Sequence, residues 1–145
     1  MLLAIITQLL DEGEVQAHCD VPCGIYSTHQ AGIAAETVEK MVAGLQEAGN
    51  DVHAITRYTA TKEEWAEICK REILILWTDY FKDEHLAQFP DLHERIWRAA
   101  KLCSKNKREV NPEAASALRK AVEEIAEMFE KVEGENAKRY RQELL

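Results

Sequence analysis

The nine residues His18-Cys19-Asp20-Val21-Pro22-Cys23-Gly24-Ile25-Tyr26 hold two thiols and an imidazole within one short, proline-constrained loop. Thiolate, imidazole and backbone nitrogen suit a late divalent transition ion such as nickel, copper or zinc, whereas calcium or magnesium demands oxygen ligands. Cys19 with Cys23 is also compatible with a thiol pair or with half of a zinc site. A four-ligand zinc site needs more partners nearby, and His29 is the closest spare one. On its own His29 reads as a surface or cap residue. His53, His85 and His93 are scattered singly and read as solvated or core side chains, while Cys69 and Cys103 lie on apolar faces and read as small core residues.

The nonapeptide resembles the nickel-binding hook of the nickel-containing superoxide dismutases, His-Cys-Asp-x-Pro-Cys-Gly-x-Tyr, with every fixed position matched. A second segment, Trp77-Thr78-Asp79-Tyr80-Phe81-Lys82, resembles another motif of that family. The resemblance implies disproportionation of superoxide to dioxygen and hydrogen peroxide, with nickel alternating between its divalent and trivalent states. It implies that Cys19 gives its thiolate and main-chain nitrogen, Cys23 a second thiolate, and His18 its α-amine and an axial imidazole. Four donors in a plane with a movable fifth match the tetragonal preference of nickel. By the same resemblance Tyr26 and Tyr80 gate the pocket with their hydroxyls, and Asp20 orders the hook through backbone amides. Without it, Tyr80 reads as a core aromatic with a satisfied hydroxyl.

In that family the hook histidine is the first residue of the mature chain, because its free amine is a ligand. Here it is residue 18. An α-amine with a pKa of about 7.7–8.0 has a lone pair to give, whereas an amide nitrogen is a poor donor until a metal displaces its proton. The sequence therefore predicts a leader, residues 1–17, removed after Ala17 by a maturation protease, and a mature domain over 18–145 with its hook at 18–26. On pattern alone Leu2-Leu3-Ala4-Ile5-Ile6 and the acidic stretch after it read as a weakly docked helix. No run there is long enough to span a bilayer. No Lys or Arg precedes Lys40, which disfavours a secretory signal, although Val15-Gln16-Ala17 resembles a small-residue cleavage site.

A chain of 145 residues is one domain by size, and 30% charged with 46% hydrophobic residues is an ordinary globular balance. A net charge of −8 argues against nucleic acid as a partner. It also repels an anionic substrate, so steering of superoxide falls to local cations such as Lys82, Arg57 or Arg71. Four cysteines with no disulfide framework fit a reducing compartment, and a cytoplasmic location is expected.

Past the hook the pattern is helical throughout. Ile33, Thr37, Val38, Met41, Val42 and Leu45 form one stripe ended by Gly49. Thr61-Lys62-Glu63-Glu64 reads as a capping box opening a second helix to about Phe81, with Trp65, Ile68, Cys69, Ile73, Leu76 and Tyr80 inside. Pro90-Asp91 opens a third helix, with Leu92, Ile96, Ala99, Ala100 and Cys103 inward to about Ser104, and 105–109 reads as a polar loop. Asn111-Pro112 caps a fourth, with Leu118, Val122, Ile125, Phe129 and Val132 on one face and Gly134 after it. The fold expected is all-α: an antiparallel up-down four-helix bundle with an N-terminal metal-binding hook. The resemblance implies the same bundle assembled as a homohexamer.

Two positions depart from the family. Its usual glutamate in helix one and arginine in helix two, which together fix the axial imidazole, align with Ala34 and Trp65. A loosely held axial ligand, or a substitute donor from elsewhere, is expected. Two other readings compete: a non-catalytic helical metal-binding or thiol-redox protein, and an interaction bundle whose cysteines are incidental.

Overall fold

A computed structural model of the chain describes residues 25–134; the leader, the hook up to Gly24 and the tail beyond Gly134 lie outside the described residues. Those described form helices and connections only. In chain order they are α1 (His29–Glu47), α2 (Val52–Ile75), a π-helical turn (Leu76–Tyr80), α3 (Asp83–Gln88), α4 (Leu92–Arg108) and α5 (Pro112–Glu133). The four long helices close a ring in which α1 packs on α2 and α5, and α4 packs on the same two. The four-helix bundle expected from the periodicity is thus observed, with short α3 as an addition. No described helix is long and apolar enough to cross a membrane.

The inner face of α1 differs from the one drawn through its large apolar residues. Ala31, Ala34, Ala35, Val38 and Val42 are buried, whereas Ile33 is 38% exposed. Three alanines let α2 approach closely, and the Cys69 thiol reaches the Ala31 carbonyl at 3.7 Å. A hydropathy stripe weighted to large side chains misses a face built for close approach.

Thr61 does not open α2. The helix starts nine residues earlier, at Val52, where the Asp51 side chain accepts from the Ala54 amide at 3.0 Å. Gly49, at φ +54°, supplies the left-handed residue that ends α1 just before it. The third helix also runs on past Ser104, through Arg108, so 105–108 is not loop. The reason lies in Lys62, whose side chain is 1% exposed. Its ammonium donates to the Asn106 carbonyl and, at 3.1 Å, to the Lys107 carbonyl, satisfying groups that a helix end leaves open. The Asn106 side-chain amide, wholly buried, donates to the Leu102 and Ala114 carbonyls at 3.0 Å each and ties α4 to α5. Burial lowers the Lys62 pKa below the ordinary lysine value. Lys62→Met keeps the volume but strands two carbonyls, and should cost about 2–4 kcal/mol of unfolding free energy in a urea titration.

α5 follows its expected pattern. The Asn111 side chain accepts from the Ala114 amide at 2.9 Å, Pro112 stands in the first turn, and Leu118, Val122, Ile125, Met128 and Phe129 are buried.

Candidate functional site

The end of α2 builds the seat on which the N-terminal segment arrives. At Leu76–Tyr80 the helix widens to a π turn, with the Phe81 amide on the Leu76 carbonyl at 2.9 Å. Such a turn carries one residue more than the α-helical register, and it is a recurrent feature of functional sites. Tyr80 is turned wholly inward, 1% exposed. Its ring meets Phe129 at a centroid distance of 4.6 Å, Phe81 at 5.1 Å, Tyr26 at 5.3 Å and His85 at 6.1 Å.

Tyr26, the last residue of the hook motif, is 4% exposed and lies on Tyr80 at an interplanar angle of 54°. Its hydroxyl donates to the Asp79 carbonyl at 3.3 Å. The two tyrosines therefore meet, although 53 residues separate Tyr26 from Asp79. Tilted aromatic pairs of this kind contribute about 0.5–1.5 kcal/mol each beyond area burial. The Tyr80 hydroxyl donates to the Glu133 carboxylate at 2.6 Å. Desolvation first, then this bond and the carboxylate charge, push the Tyr80 phenol well above its ordinary pKa, so it is a neutral donor at physiological pH. His18, Cys19, Asp20 and Cys23 lie outside the described residues.

The remaining candidates sort clearly. His29 is the first residue of α1, its amide donating to the Ser27 hydroxyl at 3.0 Å. The His85 Nδ1 accepts from the Lys82 amide at 3.0 Å, and the His93 Nδ1 accepts from the Trp77 indole at 2.7 Å. His53 is exposed. No group of three or more His, Cys, Asp or Glu side chains among the described residues could hold a metal. Cys69 and Cys103 are free and buried, and their mutual hydrogen bond with burial raises the Cys69 thiol far above the ordinary range. Both thiols thus sit in the core as small packed side chains.

Beside Tyr26 a shallow groove of about 190 Å³ is lined by Ile25, Ser27, His29, Gln30, Glu72, Ile75 and Leu76. Arg71 is exposed next to it, with its Nε 3.7 Å from the Glu72 carboxylate. Lys82 is half-buried at the start of α3. Arg57 lies 19 residues before Leu76 along the helix, about 28 Å at 1.5 Å per residue. That exceeds the screening length of about 8 Å in physiological salt, so within one chain Arg57 does not steer toward the seat.

Ala34 is wholly buried on α1, and Trp65 packs against the same core cluster from α2. Apolar contact therefore fills the places of the family's charged pair. What the sequence missed at this site is Glu133, an unremarkable helix-end carboxylate until the fold places it on Tyr80.

The fold and the site define a helical bundle whose N-terminal segment, rich in sulfur and imidazole donors, is rooted in an aromatic seat. The chain belongs to the nickel-containing superoxide dismutase family, whose sequence model matches residues 13–133. It is 38% identical over 116 residues to a nickel superoxide dismutase of Streptomyces seoulensis, covering 80% of this chain and 88% of that one. The Streptomyces coelicolor enzyme is 39% identical over 115 residues, 79% of this chain and 87% of the relative. Among solved structures, native nickel superoxide dismutase superposes with a TM-score of 0.74 at 36% identity, covering 80% of this chain and 99% of that chain. A partly X-ray-reduced form gives 0.76 at 34% identity, covering 80% and 98%.

Proposed function

We propose that this protein is a nickel-dependent superoxide dismutase, active after removal of residues 1–17. The observation that carries the reading is the joining of an intact hook sequence to the seat of Tyr26 on Tyr80, in a chain of this family. The donor set fits nickel: two thiolates, an imidazole, an α-amine and a backbone nitrogen, from His18, Cys19 and Cys23, are strong donors in a number suited to a tetragonal ion. Nickel held there supplies a one-electron couple placed between the two half-reactions of superoxide, which zinc cannot offer.

The rest of the work falls to the chain. Pro22 limits the loop's conformations, and Asp20 orders it through backbone amides. Tyr26 roots the loop by burial and by its bond to the Asp79 carbonyl. The packed rings of Tyr26, Tyr80, Phe81 and Phe129 form a water-poor floor at this end of the bundle. With the Tyr26 proton on the Asp79 carbonyl and the Tyr80 proton on Glu133, a gating role for either phenol requires that bond to be exchanged for one to the substrate. Lys82 and Arg71 are the cations placed to offset the −8 net charge near the seat.

Assembly into a homohexamer and a cytoplasmic location complete the proposal. Metal analysis of protein cut after Ala17, beside a superoxide-consumption assay and an electron paramagnetic resonance spectrum, tests it. Stoichiometric nickel, a rhombic trivalent signal with nitrogen splitting and rapid consumption are expected. Bound nickel without turnover would instead identify a metal-binding bundle.

The exchanged pair at Ala34 and Trp65 gives a further expectation. Ala34→Glu alone puts a carboxylate into a wholly buried site and should cost about 3 kcal/mol or more. With Trp65→Arg added, part of that stability should return, and turnover by stopped flow should rise about tenfold if the pair would orient the His18 imidazole. Unchanged turnover in a folded double variant refutes a kinetic role for the exchange.

A further inference from the structure

We propose that Glu133 is a positioning residue for the hook: its carboxylate clamps the Tyr80 hydroxyl, and the clamped ring is the surface on which Tyr26 seats the N-terminal segment. This deepens the superoxide dismutase reading and rests on it for the chemistry, though not for the clamp itself. The Tyr80 to Glu133 bond, 2.6 Å between the last residue of α5 and the π turn, is short and charge-assisted, the stronger kind of side-chain hydrogen bond. Tyr80 has no slack around it, being 1% exposed and in ring contact with Phe129 at 4.6 Å from the same α5. The phenol's single proton is committed to Glu133, which anchors the far end of the Tyr80 side chain, while Phe129 and Phe81 flank the ring and set the face offered to Tyr26 at 5.3 Å.

Tyr26 in turn is three residues after Cys23. A shift of its ring moves the root of the hook directly, and misplacement of about 1 Å at a reacting centre can cost a hundredfold in rate. Glu133 acts through Tyr80.

Limited chymotrypsin digestion of the metal-free chain reads the seat independently of any turnover, because cleavage after Tyr26 requires the ring to leave its pocket. Cleavage after Trp97, a side chain 54% exposed on α4, is the control for general loosening. Glu133→Ala should raise the rate of cleavage after Tyr26 about tenfold and leave the Trp97 site within twofold. Glu133→Gln keeps an acceptor oxygen and should stay within twofold of wild type at both sites. In nickel-loaded, leader-free protein, Glu133→Ala should lower turnover about tenfold at unchanged nickel content, with Glu133→Gln restoring most of it. The proposal is overturned by an unchanged Tyr26 site, by Tyr26 and Trp97 sites rising together, or by a freed Tyr26 with full turnover. Absence of turnover in wild type would overturn the superoxide reading instead, and the digestion ratio would still decide the clamp.

Discussion

Replacing Cys19 or Cys23 with Ser is expected to bring superoxide consumption by the leader-free protein down to the spontaneous rate, a loss of several orders of magnitude. The cause is electronic. A serine hydroxyl stays protonated at neutral pH and is a hard, weak donor, whereas a thiolate is soft and electron-rich. Cys19 and Cys23 would hold nickel as thiolates and so make its trivalent state reachable; with one of them replaced by Ser that stabilisation would be lost. The bundle should be indifferent to the change. Among the described residues the buried core runs from Tyr26 to Phe129, and a thiol-to-hydroxyl exchange in the loop ahead of it should leave the unfolding free energy of the metal-free variants within about 0.5 kcal/mol of wild type. Pulse radiolysis with and without nickel, beside urea titrations, separates the two effects. Variants that retain bound nickel and full turnover would rule out the hook as the site, and variants that unfold would show that the loop is structural.

Much of the bundle was legible because the relevant signals are local. α5 announces itself through Asn111-Pro112, its stripe to Phe129 and the positive-φ Gly134, and each is used as its type suggests. The start of α2 misled for an equally local reason. Thr61-Lys62-Glu63-Glu64 satisfies the pattern of a capping box, yet Asp51 caps the helix earlier, and nothing between them breaks it. The length of α4 was not legible at all, since the group that completes its last turn, Lys62, comes from 44 residues earlier in the chain. A lysine between a threonine and two glutamates gives no sign of burial. The inward face of α1 was hidden differently: Ala31, Ala34 and Ala35 carry little hydropathy, and their value lies in the approach of a neighbouring helix that no single-helix pattern contains.

The site divides along the same line. The donor atoms proposed for it, on His18, Cys19 and Cys23, are clustered in one stretch of sequence outside the described residues. Tyr26 and Tyr80 were found through two separate motifs, but their ring contact at 5.3 Å depends on the π turn, an insertion in register that composition does not encode. Glu133 carries no motif and meets Tyr80 only because α5 returns to the end of α2. The sequence motifs are thus local, whereas the contacts that join Tyr26, Tyr80 and Glu133 come from the topology.

Protein retaining residues 1–17 should be inactive even when nickel is supplied in excess, with turnover at least about a hundredfold below that of protein cut after Ala17. Loss of an outer partner of a metal ligand already costs 10–100-fold. Loss of a ligand in direct contact with the metal costs more. With the leader attached, the His18 nitrogen is an amide whose lone pair is delocalised into the Ala17 carbonyl, and binding there requires displacing its proton against a pKa far above that of an amine. A chain beginning at Ala17 distinguishes chemistry from bulk. If the leader blocked the site by covering it, one residual alanine would leave most activity in place; if the free amine is the requirement, that single residue should abolish turnover as fully as all seventeen. The seat of Tyr26 is common to both forms, so they should share one unfolding transition in the absence of metal, and nickel should stabilise only the chain that starts at His18.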